Sequence, residues 1–503
     1  MNVVEGSDGL IVPEKRLNKG KGQPAESAEG RGPAKGNAFE PTTFRTQRRG
    51  SVSSGLERVR EAARRDRRAR MTALLHHVGI EELHQAYTAL NPRAAAGVDG
   101  TTWEEYGKGL PGHLEDLHDR LHGGRYRAQP SKRIYLPKPD GRKRPIGIAA
   151  LEDKLVQHAV GKVLEQIYET DFVGISYGFR PGRGQHDALD ALYVGLTERR
   201  IAWVLDADIE SFFDRLDHAH LMGMLGERIG DQRILRLIRK WLRAGVMEEG
   251  RWKATERGVP QGAVISPLLA NIYLHHVFDQ WTMDWRRQQA RQDMIVVRYA
   301  DDIIIGFANR EEAEAYRTAL DDRLKSFGLN LHPTKTRLLP FGPRDYGDDK
   351  PGTFSFLGFT HQVSRTRAGR FTIRRQPDKQ RQRRTLSRIK EALYLACHVP
   401  IPATGQWLSR VLRGYFQYFG VPGTRHTLDA FRTAVLRHWL KALRRRSQKY
   451  RMSWARFAPL IVRWLPKARI VHPYPSIRFY AKYLRQEPCA LGAHARICAG
   501  GAR

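Results

Sequence analysis

The stretch MIVVRYADDIIIGF, residues 294–307, constrains the fold more than any other part of this 503-residue chain. Two β-branched apolar runs meet at a polar turn, the pattern of a β-hairpin. Ile295, Val296 and Val297 on one side and Ile303, Ile304 and Ile305 on the other require strands buried on both faces. At the tip stand Asp301 and Asp302. Asp is an ordinary turn residue, yet adjacent carboxylates on buried strands raise one another's pKa unless a cation lies between them. The strand WVLDADI, residues 203–209, repeats the conflict, because Asp206 and Asp208 share one face and are costly to bury without a cation. Asp208, Asp301 and Asp302 together offer the hard oxygen ligands that suit Mg²⁺. Two such ions about 3.5 to 4 Å apart would activate a hydroxyl and stabilise a leaving pyrophosphate.

Charge points the same way. Lys and Arg number 86 against 53 Asp and Glu, a formal +33, so the expected partner is a polyanion, either nucleic acid or an acidic membrane face. A hydrophobic share of 41% excludes a purely disordered basic tail. The three cysteines Cys397, Cys489 and Cys498 form no framework, and the chain has neither a secretory signal nor an apolar run of about 18 residues. A cytoplasmic protein without a membrane span is expected. The excess is uneven: residues 361–503 hold 31 basic and four acidic side chains, residues 1–70 hold 16 and nine, and the middle is within one charge of neutral. This suggests a central block built for chemistry and a C-terminal block built to hold a polyanion.

Residues 1–54, rich in Gly, Pro, Ser and charge, read as a disordered basic arm. RYRAQPSKRIYLPKPDGRKRPIGIAA, from residue 125, reads as a basic hairpin, residues 151–168 as an amphipathic helix, and PQGAVISP, 260–267, as a loop opening a long helix. Helices are expected near 218–229, 231–244 and 311–325, a short strand pair over 353–360, and mainly basic helix beyond 374.

These motifs resemble reverse transcriptases, and among them the proteins encoded by bacterial group II introns. YADD at 299–302 matches the catalytic turn, DIESFFD from Asp208 the first catalytic strand, and PQGAVISPLLANIYL from Pro260 the template and nucleotide loop. The resemblance spans roughly residues 70–465. It implies an α+β right-hand fold, with fingers and an antiparallel-sheet palm over 55–360, a helical thumb and maturase region over 361–465, and a short basic tail over 466–503. It also implies RNA-directed DNA synthesis with two Mg²⁺ ions, Mn²⁺ being a possible substitute. The implied partners are intron RNA, an RNA template with its DNA primer, dNTPs and target DNA, with nucleoid association when the enzyme acts on that DNA.

The resemblance places the metals on Asp208, Asp301 and Asp302 and on the backbone at Ile209, leaving Asp206 as a structural neighbour. Phe213 falls at the aromatic gate, where a ring beneath the sugar would clash with a 2′-hydroxyl. Lys138 and Arg144 would face the triphosphate, and Gln261 and Gly262 the nascent base pair. Lys335 either protonates pyrophosphate or is a surface lysine. FSFLGF, residues 354–359, resembles the primer grip. In SYGFRPGRG, Arg180 and Arg183 are RNA contacts or parts of a turn. In the maturase-like region, Tyr415, Phe416 and Phe419 are expected to pack, and Arg410, Arg413, Arg425, Arg444, Arg445 and Arg446 to bind RNA. Cys489, His494 and Cys498 lack zinc-ligand spacing, and no endonuclease is expected. Two other readings stay open: a domesticated relative used in phage defence or repair, and an RNA-binding splicing factor without polymerase activity.

Overall fold

A computed structural model describes residues 46–137, 141, 143–343, 351–446 and 452–484. Helix α1 (Thr46–Arg65) begins inside the stretch expected to be an arm and packs on α2 (Leu151–Asp171). That second helix is not amphipathic as expected, being buried on nearly every side. Its polar residues are satisfied internally: Asp153 accepts from Tyr126 and from the Gln129 N–H, and Lys154 donates to the Ala95 carbonyl. Helix α3 (Gln185–Glu198) and helix α4 (Gln232–Arg243) follow.

The basic segment forms its hairpin, β1 (Ser131–Pro137) against β2 (Lys143–Ile148), within a sheet of order β2-β1-β4-β5 that adds β4 (Val246–Glu248) and β5 (Arg251–Lys253). The central sheet has the order β6-β7-β3-β8, from β3 (Trp203–Asp208), β6 (Met294–Tyr299), β7 (Asp302–Phe307) and β8 (Arg337–Pro340), every pair antiparallel. Alternate residues enter different cores, as period-two burial demands. Leu205, Val296, Ile303 and Ile305 join one cluster with Tyr316 and Leu320 of the helix Arg310–Lys325. Val204, Ile295, Val297 and Ile304 join another with Leu189 and Leu192 of α3. The sheet is thus covered on both faces, with β7 of the apolar hairpin and β3 as its central strands.

The long helix after the PQG loop runs as α5 (Ser266–Leu274), a π-helical turn at His275–Asp279 and a further stretch to Gln288. Strands β9 (Thr353–Phe356) and β10 (Phe359–Arg365) make the expected pair, and β11 (Phe371–Pro377), which was not foreseen, extends it. Helices α6 (Lys379–Leu395), α7 (Ile401–Phe419), α8 (Arg425–Arg444) and α9 (Trp454–Trp464) follow, and Tyr415, Phe416 and Phe419 are buried. Part of the expected tail is folded: α10 (Pro475–Leu484) packs on α3, where Arg478 pairs with buried Asp190 and Lys482 with Asp187. Cys489, His494 and Cys498 lie outside the described residues.

Candidate active site

The carboxylates converge where β3 meets the β6–β7 hairpin. Asp208 lies directly opposite Asp302 in the antiparallel register, a spacing of roughly 4.5–5.5 Å between Cβ atoms, and Asp301 is the turn residue beside it. Asp206 and Asp208 share parity with Val204, and Asp302 with Ile304, so these three emerge on one face. Burial raises the Asp302 carboxyl to about 7, with further upward pushes from Asp301 and Asp208. Asp301 is raised by burial and by Asp208, while Arg144 acts in the opposite sense. These are carboxylates short of positive charge.

One cation already answers. Lys335 Nζ donates to Asp208 Oδ2 at 3.0 Å, and the backbone beside it is pinned by the His332 N–H donating to the Asp208 carbonyl at 2.7 Å. Asp206 is instead paired with Arg337 at 3.1 Å, in keeping with a structural role. Ile209 is buried and bridges Leu331. Among the described residues no three His, Cys, Asp or Glu side chains close into a metal cage. The cluster still fits Mg²⁺, which needs only one or two protein carboxylates when phosphate oxygens and water complete its shell.

The turn is held from behind by a residue that the motif reading overlooked. Arg298, fully buried, donates to both oxygens of Asp279 at 2.7 and 2.6 Å, to Asn271 Oδ1 at 3.0 Å, to Ser176 Oγ at 2.8 Å and to the Ala300 carbonyl at 3.0 Å. Ala300 has φ 56°, a conformation L-residues rarely take, and this bond helps fix it. Gly178 packs on the same turn: a Cβ there would meet the Ala300 nitrogen at 2.4 Å. A lone Arg within IVVRYA was the available signal.

The SYGFRPGRG segment therefore buttresses the turn. Ser176 bridges Arg298, and the Tyr177 N–H donates to the Arg298 carbonyl. Of the two readings of Arg180, RNA contact or part of a turn, its partners favour the second. It is buried, bonded to Glu169 and to the Val173 and Ser176 carbonyls, because so polar a loop can be buried only if its own cation satisfies the backbone. Arg183 likewise donates to Gly174 and Ser176.

The PQG loop docks on the basic hairpin. The Gly147 N–H of β2 donates to the Gln261 carbonyl at 2.6 Å, and Gln261 Nε2 donates to Asp214 at 3.0 Å. Gly262, at φ 108°, lies where a Cβ would meet the Gly147 carbonyl at 2.7 Å, so only Gly allows this approach. Phe213 is almost buried, and its carbonyl accepts from the Val259 N–H at 2.8 Å. Lys138 lies outside the described residues. Arg410 and Arg413 are exposed on α7. Arg425 pairs with Asp429, Arg444 donates to the Met452 carbonyl, Arg445 lies over the Tyr394 ring and Arg446 donates to the Val399 carbonyl.

Residues 136–361 match the family described as reverse transcriptase (RNA-dependent DNA polymerase). Protein YkfC of Escherichia coli is 36% identical over 272 residues, 48% of this chain and 71% of that protein. The group II intron-encoded protein LtrA of Lactococcus lactis is 41% identical over 165 residues, 33% of this chain and only 27% of that protein. A telomerase from Candida albicans shows a looser likeness, with a TM-score of 0.41 at 14% identity, over 78% of this chain and 65% of that one.

Proposed function

We propose, because the chain belongs to the reverse transcriptase family, that it extends a DNA primer along an RNA template, with Asp208, Asp301 and Asp302 as the catalytic carboxylates. The observation that carries this is the register pairing of Asp208 with Asp302 beside Asp301. Divalent metal use goes with the family. We take the ions to be two Mg²⁺, with Mn²⁺ as substitute, held by these carboxylates and the Ile209 carbonyl; bound there, they would supply charge for the attacking hydroxyl and the leaving pyrophosphate.

The protein's own groups do the rest. Lys335 is taken to pass a proton to pyrophosphate, a reading its bond to Asp208 supports. Arg144, whose charge is felt at Asp301, is taken, with Lys138, to bind the triphosphate. The Phe213 ring limits room beneath the sugar, and Gly262 lets the nascent pair approach the loop backbone. Fingers and palm are assigned to residues 55–360 and the thumb and maturase region to 361–465. The exposed arginines of α7 and α8 are taken to hold group II intron RNA by its phosphates and to assist its splicing. Insertion of the copied intron into target DNA then follows, in the cytoplasm and at the nucleoid. Among the described residues no helix is long and apolar enough to cross a membrane.

Incorporation of dTTP on poly(rA)/oligo(dT) with Mg²⁺ tests the chemistry. Asp301→Asn and Asp302→Asn should each lower it at least about 100-fold, the scale of a lost transition-state electrostatic contact; retention of wild-type rates would refute the assignment. Splicing of the flanking intron at low Mg²⁺, with and without protein, tests the maturase role.

A further inference from the structure

Helix α4 has two faces of opposite character. Ile234, Leu235, Leu237, Ile238, Trp241 and Leu242 are buried, whereas Arg236, Arg239, Lys240 and Arg243 follow the i, i+3, i+4, i+7 spacing that makes one stripe. With Arg127 and Ala128 these cations line a groove of about 440 Å³. Lys240 is fixed there by the Tyr126 carbonyl and by that residue's ring, 5.8 Å away.

A row of exposed cations is often just a solvated face, but this row lacks the acidic partners that three other helices supply. Arg120 has Asp116, Arg310 has Glu314, Lys325 has Asp321 and Arg425 has Asp429, each four residues away. The nearest acid on α4 is its N-cap, Asp231, which is buried and holds Arg233. Among the described residues Arg127, Arg236, Arg239 and Arg243 make no ion pair. Like charges at these spacings weaken a helix, so the stripe needs its counter-charge from outside.

We propose that this groove grips an RNA phosphodiester backbone, at a surface separate from the carboxylate cluster. The choice of RNA rests on the polymerase reading above. A membrane is disfavoured because the apolar face of α4 is already buried, leaving nothing to insert among lipids. No aromatic side chain lines the groove, so the contact is to phosphate, without base stacking or sequence preference. The other side of α4 presents Trp241 and Leu242 to a small cavity shared with Pro260 and Ala263. RNA in the groove is thereby held on the body that carries the nucleotide loop. The near-neutral sum of the central block conceals this local concentration of charge.

The test is full-length Arg236→Gln/Arg239→Gln/Arg243→Gln, titrated by anisotropy over a salt series. The probes are a primer–template with a long single-stranded RNA 5′ overhang, the same duplex blunt-ended, a folded hairpin-rich RNA, and vesicles of acidic phospholipid. Losing three phosphate contacts should reduce the log–log salt slope by about 2, at roughly 0.7 per contact on single strands, and weaken binding at least tenfold near 0.15 M salt. Loss confined to the overhang identifies the incoming template, and loss confined to the folded RNA identifies a structured RNA; either supports the proposal. Unchanged slope and affinity on every RNA would overturn it, as would an effect seen only with vesicles. Incorporation of dTTP at saturating poly(rA)/oligo(dT) should stay within about twofold. If the wild type fails to incorporate dTTP while the slope still changes, the polymerase reading falls and the groove stands.

Discussion

Arg298 shows how a buried charge can serve a surface reaction. Its guanidinium ties the carboxylate turn to Asp279 and Asn271 on the long helix and to Ser176 on the loop opposite. Removing one member of a buried, hydrogen-bonded pair leaves the other charge without compensation, at about 3–5 kcal/mol. Arg298→Ala should therefore lower the urea midpoint markedly, and Arg298→Met combined with Asp279→Leu should recover much of it; a single variant as stable as wild type would show that the pair carries no such weight. At this scale the sequence was partly legible. Three acids on apolar strands announce themselves, because nothing in a strand excuses their burial. Arg180 and Arg298 look like any other arginine until the fold supplies Glu169 and Asp279 as partners, and those partners lie 11 and 19 residues away in sequence.

Elements were legible where burial follows a local period. The β6–β7 hairpin alternates between two cores as its β-branched runs require, and α4 follows the 3.6-residue rule. What stayed hidden depends on distant charge. Strand β11 carries Arg375 inward and α10 carries Arg478, and both reach Asp190 on α3, 185 and 288 residues away, so a buried arginine interrupts the short apolar faces that Ile373 and Phe479 contribute. Asp190 is 1% exposed, which makes these arginines a condition for its ionisation. With Arg478→Ala only the longer Arg375 contact, at 3.4 Å, remains. Amide hydrogen exchange in 475–484 should then accelerate by at least about tenfold, a loss of 1.4 kcal/mol in local opening free energy, while the β6–β7 hairpin keeps its protection. Unchanged exchange in α10 would mean that its docking does not depend on this charge clamp.

For the molecule as a whole, acid should be more damaging than the carboxylate cluster suggests. Burial lowers His275 to about 4, and burial assisted by Arg375 lowers His361 to about 3. In the unfolded chain both would titrate near 6.5. Between those values the unfolded state holds the extra protons, so stability declines as pH falls from about 6.5, by about 1.4 kcal/mol per unit for each histidine. Asp153 acts in the other direction: burial raises it to about 6, so in the native state it is already protonated where an unfolded Asp, near 3.9, is still charged. Asp302, raised to about 7, acts as Asp153 does, and His186, lowered by burial to about 2, acts as the other two histidines do, so over pH 6 to 4.5 three histidines are opposed by two carboxyls and a net decline remains. His361 is the position to test. It is fully buried and stacked on Phe354 at 4.8 Å, with neither ring nitrogen in good hydrogen-bonding geometry and only a weak backbone contact at Phe359. His361→Phe therefore removes a proton site at little cost in packing. Unfolding free energies from urea titrations in Mg²⁺ buffer should fall between pH 6 and 4.5 for the wild type and fall less for the variant, their difference growing by about 1.4 kcal/mol per unit. Parallel acid limbs would mean that the buried ring takes up its proton without penalty.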